Sequence, residues 1–212
     1  MGFAIEDRVF RRNRRLHEIA QAASEAFGSG GVSSPDARSL RDVVLAIKRT
    51  VASVPGAYAC FVGGLAVQEH GYVRATEDVD VVVDSAHFRE IIQRLRDVGF
   101  ELTSKLCLRH RPSGILVDVL REGAVVKSAR FPVPHPRDLG PNLGFATLPA
   151  LIRLKLESGR IQDQADVVSL LKRRLPDIEV ISQQIPEALR AEYQRLAAIA
   201  RQEADAGPPR AI

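Results

Sequence analysis

Residues 58–84 read YACFVGGLAVQEHGYVRATEDVDVVVD, and three signals stand in that one stretch. Tyr58 to Val62 is a short apolar run that predicts a strand. Gly63 and Gly64 then open a predicted helix, LAVQEH, which Gly71 stops. Asp78 to Asp84, DVDVVVD, is rich in β-branched residues and predicts a second strand. Side chains alternate along a strand, so Asp78 and Asp80 leave one face while Val79, Val81 and Val83 enter a core.

Two carboxylates projecting together repel and raise each other's pKa unless a cation lies between them. The expected cation is Mg²⁺ (or Mn²⁺), a hard ion that takes carboxylate oxygens, water and substrate phosphates. Asp118 alternates with Val117 and Val119 in another predicted strand, Ile115 to Leu120, and supplies a third carboxylate if that strand lies alongside. A lone DxD pair also occurs at exposed strand ends, where it is merely solvated. Context changes that balance. Gly63-Gly64 lies between a strand and a helix, with residues 65 to 77 separating it from Asp78. Glycines there let the backbone approach a bound group, and a helix N-terminus offers N–H donors to phosphate. A plain tight turn would require glycine equally well.

Gly63-Gly64-Leu65-Ala66-Val67, His70-Gly71, Arg74-Ala75-Thr76 and Asp78-Val79-Asp80 together resemble the signature of the DNA polymerase beta nucleotidyltransferase superfamily. The GG…RxTxDxD form is similar to the AbiEii-type toxin nucleotidyltransferases and to small antibiotic nucleotidyltransferases. The resemblance covers about residues 58 to 175. It implies that Gly63 and Gly64 hold the triphosphate of an NTP, and that Asp78 and Asp80 hold the metals. Asp118 would be the third ligand, acting as the base or positioning it. The chain has Gly-Gly where many members have Gly-Ser, so a serine contact to phosphate is missing. The reaction implied is transfer of an NMP from an NTP to an acceptor hydroxyl. In the toxin-like form the acceptor is RNA, such as the tRNA 3′ end, with a cognate antitoxin as partner. The alternatives are an antibiotic nucleotidyltransferase and a non-catalytic nucleotide-binding protein of the same fold.

Supporting residues follow from position. Arg74, near the mouth of the same strand, either contacts triphosphate or pairs with Asp78 or Glu77. Thr76 either hydrogen-bonds the loop backbone or is a plain turn residue. Further on, Leu151 to Asp166 carries LxxLKLxxGRxxDxxD, which resembles the helical segment after the catalytic domain in the toxin-like group. Lys155 is the candidate for the β- or γ-phosphate. Asp163 is placed to cap the next helix and orient Lys155 or Arg160. An ordinary helix–helix turn with surface charges is the alternative account of that set.

The rest of the chain frames this core. Residues 6–27 predict a helix with Arg8, Arg11, Arg12 and Arg15 on one face, either solvated or facing RNA phosphate. Gly28 to Pro35 is a flexible break, and Asp36 to Ser53 predicts a second helix. Phe88 to Val98 predicts another, ended by Gly99. Leu102 to Arg109 predicts a strand, with a turn at 111–114 leading into Ile115 to Leu120. The passage FPVPHPRDLGP predicts an irregular connection, followed by helices at Leu148 to Glu157, Gln162 to Arg174 and Pro186 to about Glu203. The element pattern gives an α/β (α+β) class, and the resemblance implies a nucleotidyltransferase fold with a short mixed sheet backed by helices and with helical N- and C-terminal extensions. The expected divisions are a helical extension (1–54), a core (55–135) and a helical region (136–212), packed as one unit.

Composition permits this. The 212 residues carry 30 Lys+Arg against 26 Asp+Glu, a net charge of +4 that suits an anionic partner without demanding one. No apolar run reaches the roughly 20 residues of a membrane span, and the charged N-terminus does not read as a secretory signal. The expected location is the cytoplasm. Cys60 and Cys107 lie in apolar stretches without a CxxC neighbour, and the five histidines lack HxxxH or HExxH spacing, which disfavours zinc.

Overall fold

A computed structural model describes residues 37–104, 106–125 and 131–206. The predicted helix at 6–27, its arginine face and the break at 28–35 lie outside the described residues. Within them the chain forms a six-stranded mixed sheet and seven α-helices. The helices are α1 (Ala37–Ala52), α2 (Gly63–Glu69), α3 (Phe88–Asp97), α4 (Leu148–Ser158), α5 (Ile161–Lys172), α6 (Ile178–Gln183) and α7 (Glu187–Asp205). The strands are β1 (Ala59–Val62), β2 (Asp78–Val83), β3 (Phe100–Leu102), β4 (Cys107–His110), β5 (Leu116–Arg121) and β6 (Gly144–Phe145). Among the described residues no helix is long and apolar enough to cross a membrane.

The spatial order is β3-β4-β5-β2-β1-β6. β1 is antiparallel to β2, whereas β2 is parallel to β5 and β1 to β6. The expected short mixed sheet backed by helices is present. One predicted element is corrected: Leu102 to Arg109 is not a single strand. β3 and β4 form an antiparallel hairpin, pairing Phe100 with His110 and Leu102 with Leu108. Thr103 turns the chain there, its N–H and Oγ1 both donating to the Cys107 carbonyl at 3.0 Å. A threonine can close a turn through its hydroxyl without glycine or proline.

Each face of the sheet builds its own core. Val79, Val81, Val83, Val117 and Val119 are fully buried against Val43, Val44 and Ile47 of α1 and Ile91 and Leu95 of α3. The opposite face contributes Cys60, Val62 and Val82 to a second core with α4, α5 and α7. Within it, fully buried Tyr193 donates its hydroxyl to the Ile178 carbonyl at 2.7 Å. Asp84 closes the end of β2, accepting from the backbone N–H of Tyr58 at 2.7 Å and of His87 at 3.0 Å. These layers leave the carboxylate-bearing part of the second face between the sheet and α4.

Candidate active site

Register decides what the three aspartates can do. In the parallel pair of β2 and β5, Asp80 stands directly opposite Asp118, and Asp78 opposite Leu116. Neighbouring strands lie about 4.8 Å apart, so Asp80 and Asp118 leave the same face side by side. Val62, the last residue of β1, flanks Asp80 on the other side. Asp80 and Asp118 are half-buried, while Asp78 is exposed at the strand's start. Burial, together with the charges of Asp78 and Asp118, pushes the Asp80 carboxyl up to about 7; Lys155 and Arg160 pull against that rise.

The two glycines make room for this arrangement. Gly63 has φ +63°, and a Cβ placed there would lie 2.6 Å from the Asp80 carboxyl carbon. Any side chain would drive Asp80 out of its place. A Cβ on Gly64 would lie 2.8 Å from Thr76 Cβ. The Gly-Gly pair therefore admits Asp80 and the 72–77 loop against the start of α2. Thr76 is buried, and its hydroxyl donates to Asp78 Oδ1 at 3.2 Å, steering that carboxylate as well as meeting the Asp78 carbonyl at 3.4 Å.

Facing the carboxylates is a compensated charge network on α4 and α5. Lys155 is buried, and its Nζ donates to Asp163 Oδ1 at 2.8 Å and to Asp166 Oδ2 at 2.6 Å. Asp163 also accepts from Ser158 Oγ and from Arg160 Nε at 2.7 Å. Burial pushes the Asp163 carboxyl up, but these donors outweigh it and hold the group below its ordinary value. Arg160 caps nothing with its side chain; it is largely exposed at the rim, its charge strengthened by Asp163 and by Asp80 and Asp78.

Two expected roles change here. Asp163 is not the cap of α5, because it sits in the helix's first turn after Arg160 and its carboxylate is turned back to Lys155, Ser158 and Arg160. Arg74 pairs with neither Asp78 nor Glu77: its Nε lies 3.1 Å from Asp166 Oδ1, a charge contact without aligned hydrogen-bond geometry. Asp166 has no solvent exposure and holds Lys155, Arg74 and, at 3.3 Å, Gln162. Nothing local marks Asp166 as such a hub beyond its place in the DxxD run.

A cavity of about 240 Å³ lies between the sheet and α4. Gly63, Asp80, Asp118, Lys155, Arg160 and Asp163 line its polar part, and Val82, Leu120, Phe131, Val133, Leu151 and Leu154 its apolar part. Glu157 and Ser158 complete the wall. Glu157 and the apolar wall were missed by sequence reasoning, since a buried glutamate in an amphipathic helix has no local signature. Cys107 stands opposite Asp118 on β4, where burial and that carboxylate push its thiol up. Burial pushes Cys60 up to about 12, as expected of a core thiol.

Among the described residues, no three His, Cys, Asp or Glu side chains are gathered into a ready metal cage. The donor set still suits a Mg²⁺-like ion, which takes one or two carboxylates and completes its shell with water and substrate phosphates. Asp80 and Asp118 present such a pair, all oxygen, with excess negative charge between them.

No family model and no curated protein matches the chain. Among solved structures it is similar to the solution structure of the antibiotic-resistance factor ANT(2'')-Ia, at 13% identity and a TM-score of 0.46, covering 79% of this chain and 98% of that one. That likeness is too loose to inform the site, whose chemistry rests on its own residues.

Proposed function

We propose that the chain is a metal-dependent nucleotidyltransferase, moving an NMP from an NTP onto an acceptor hydroxyl. The observation that carries this is Asp80 and Asp118 in register on parallel strands, facing a cavity whose other wall holds Lys155 and Arg160. An anion between carboxylates and fixed cations requires a bridging divalent ion, and a polyphosphate supplies the anion. Asp80 and Asp118 would hold Mg²⁺ or Mn²⁺, with Asp78 joining once it leaves Thr76. The bound ion would neutralise charge on the triphosphate.

The chain's own groups do the rest. Gly63 and Gly64 allow the phosphates to approach the start of α2. Arg160, free at the rim apart from Asp163, reaches the polyphosphate, and Lys155 contributes a fixed charge from the wall. The acceptor oxygen forms a bond to the α-phosphorus while the bond to pyrophosphate breaks. Asp118 takes or orients the proton of that hydroxyl. Little covalent work falls to the protein; position and charge neutralisation carry such catalysis.

The basic balance of the chain, with a pI of about 9.4, supports RNA as the acceptor, the tRNA 3′ end first, and the toxin reading would add a cognate antitoxin. The experiment is incubation with Mg²⁺, each labelled NTP in turn and total tRNA, beside Asp80→Ala. Label on tRNA with the wild type alone is the expected result. Equal label with Asp80→Ala, or no Mg²⁺-dependent NTP binding at all, would end the proposal.

A further inference from the structure

The cavity changes character along its length, and both walls change together. β2 and β5 run in parallel from Asp80 and Asp118 to Val82 and Leu120, which are again in register. Two residues of strand advance about 7 Å, so the sheet wall passes from charged to apolar within the span of a nucleoside. Across from it, α4 carries Leu151 and Leu154 on the cavity side, and Phe131 adds an aromatic ring. A nucleotide has the same polarity, anionic at one end and flat and apolar at the other. With phosphates at the carboxylates, the base falls in the apolar part.

One further charged group lines the cavity. Glu157 follows Leu154 by three residues and shares its flank of α4, about 160° around the helix from Lys155. Its side chain is 4% exposed, yet it lines the cavity. Arg153 Nε donates to Oε1 at 2.7 Å. A buried carboxylate accepts hydrogen bonds and donates none.

We infer that Glu157 selects the base, favouring those with an exocyclic amine (adenine, cytosine, guanine) over uracil. This rests on the nucleotidyltransferase reading of the same cavity. An amine donates to the carboxylate directly. Uracil presents its single N–H between two carbonyl oxygens, which the carboxylate repels. A hydrogen bond to a charged group in a buried site changes affinity by about tenfold or more.

The test measures binding of ATP, GTP, CTP, UTP and inorganic triphosphate to the full chain in Mg²⁺ by calorimetry. The amine-bearing nucleotides should bind about tenfold tighter than UTP, and all four tighter than triphosphate. Glu157→Gln, whose amide can donate to a uracil carbonyl, should shrink the gap to about twofold or less. Leu154→Trp, filling the apolar part, should bring every NTP down to the affinity of triphosphate and leave triphosphate unchanged. Four equal NTPs, a UTP gap untouched by Glu157→Gln, or NTPs no better than triphosphate would each overturn the inference while sparing the phosphate site. Failure of every polyphosphate to bind would instead remove the nucleotidyltransferase reading beneath it.

Discussion

Two groups of charged side chains meet at the cavity, and they are built on opposite principles. On the sheet, Asp78, Asp80 and Asp118 concentrate negative charge with no basic side chain among the described residues hydrogen-bonded to Asp80 or Asp118, and burial with that charge pushes the Asp80 carboxyl up to about 7. On α4 and α5, Lys155 sits between Asp163 and Asp166, with Arg160 and Arg74 outside them. Cation and anion are matched there, and Asp163 stays ionised. The comparison separates two uses of buried charge. A matched cluster fixes the angle between two helices, whereas an unmatched one carries a cost of desolvation and repulsion that a bound cation relieves.

The largest effect should come from unmatching the matched cluster. Lys155→Ala would remove the cation shared by two aspartates with 4% and 0% side-chain exposure, Asp163 and Asp166, and leave only their outer partners. Loss of one partner of a buried pair costs about 3–5 kcal/mol, or roughly 10 °C in Tm for a chain of this size. A loss below about 1 kcal/mol in urea denaturation would show that the cluster is not structural.

Next in size is Gly63→Ala. The positive φ costs about 1 kcal/mol, and displacement of Asp80 adds a further 1–3 kcal/mol as in other overpacked sites. The same substitution should abolish Mg²⁺-dependent protection against heat. Protection that survives would place the ion elsewhere.

Asp80→Asn tests the unmatched cluster, and its sign is the reverse. A carboxyl held near 7 in the folded chain keeps its proton where the unfolded chain has lost it. Stability from Asp80 therefore falls as pH rises from its ordinary value, about 4, to about 7, and is flat above. Asp163 works in the opposite sense: its contribution is present above its ordinary value and lost as pH falls below it. In metal-free protein at pH 8, Asp80→Asn should raise stability by about 1–2 kcal/mol and flatten the decline between pH 4 and 7. Melting curves across that range, with and without Mg²⁺, check this; Mg²⁺ should stabilise the wild type and not the variant. A less stable Asp80→Asn at pH 8 would refute a cost of holding this carboxylate buried and unmatched.

The smallest effect on stability belongs to Arg160→Ala. Its side chain is 76% exposed, and exposed pairs contribute about 1 kcal/mol or less. Its effect should fall instead on NTP affinity, measured by the same calorimetry. A large stability loss would move Arg160 into the structural cluster.

The sequence was most informative where the signal is local. Alternation in DVDVVVD marks β2 and separates Val79, Val81 and Val83 from Asp78 and Asp80. The periods of α1, α3, α4, α5 and α7 place those helices to within two residues. It was least informative where a short turn lacks glycine or proline, as at Thr103 between β3 and β4. The short helix α6 also escaped notice, since its six residues span under two turns.

What the sequence determined by itself is which residues alternate, which helices are amphipathic and which positions demand glycine, because each follows from a repeat of two or 3.6 residues or from one backbone angle. Whether Asp118 stands opposite Asp80, whether Asp166 claims Lys155 and Arg74, and whether Glu157 reaches the cavity were decided only in three dimensions. Each joins segments far apart in the chain. Their registers are set by burying Val79, Val81, Val117 and Val119 under α1 and α3, and Leu151, Val167 and Leu170 in the second core.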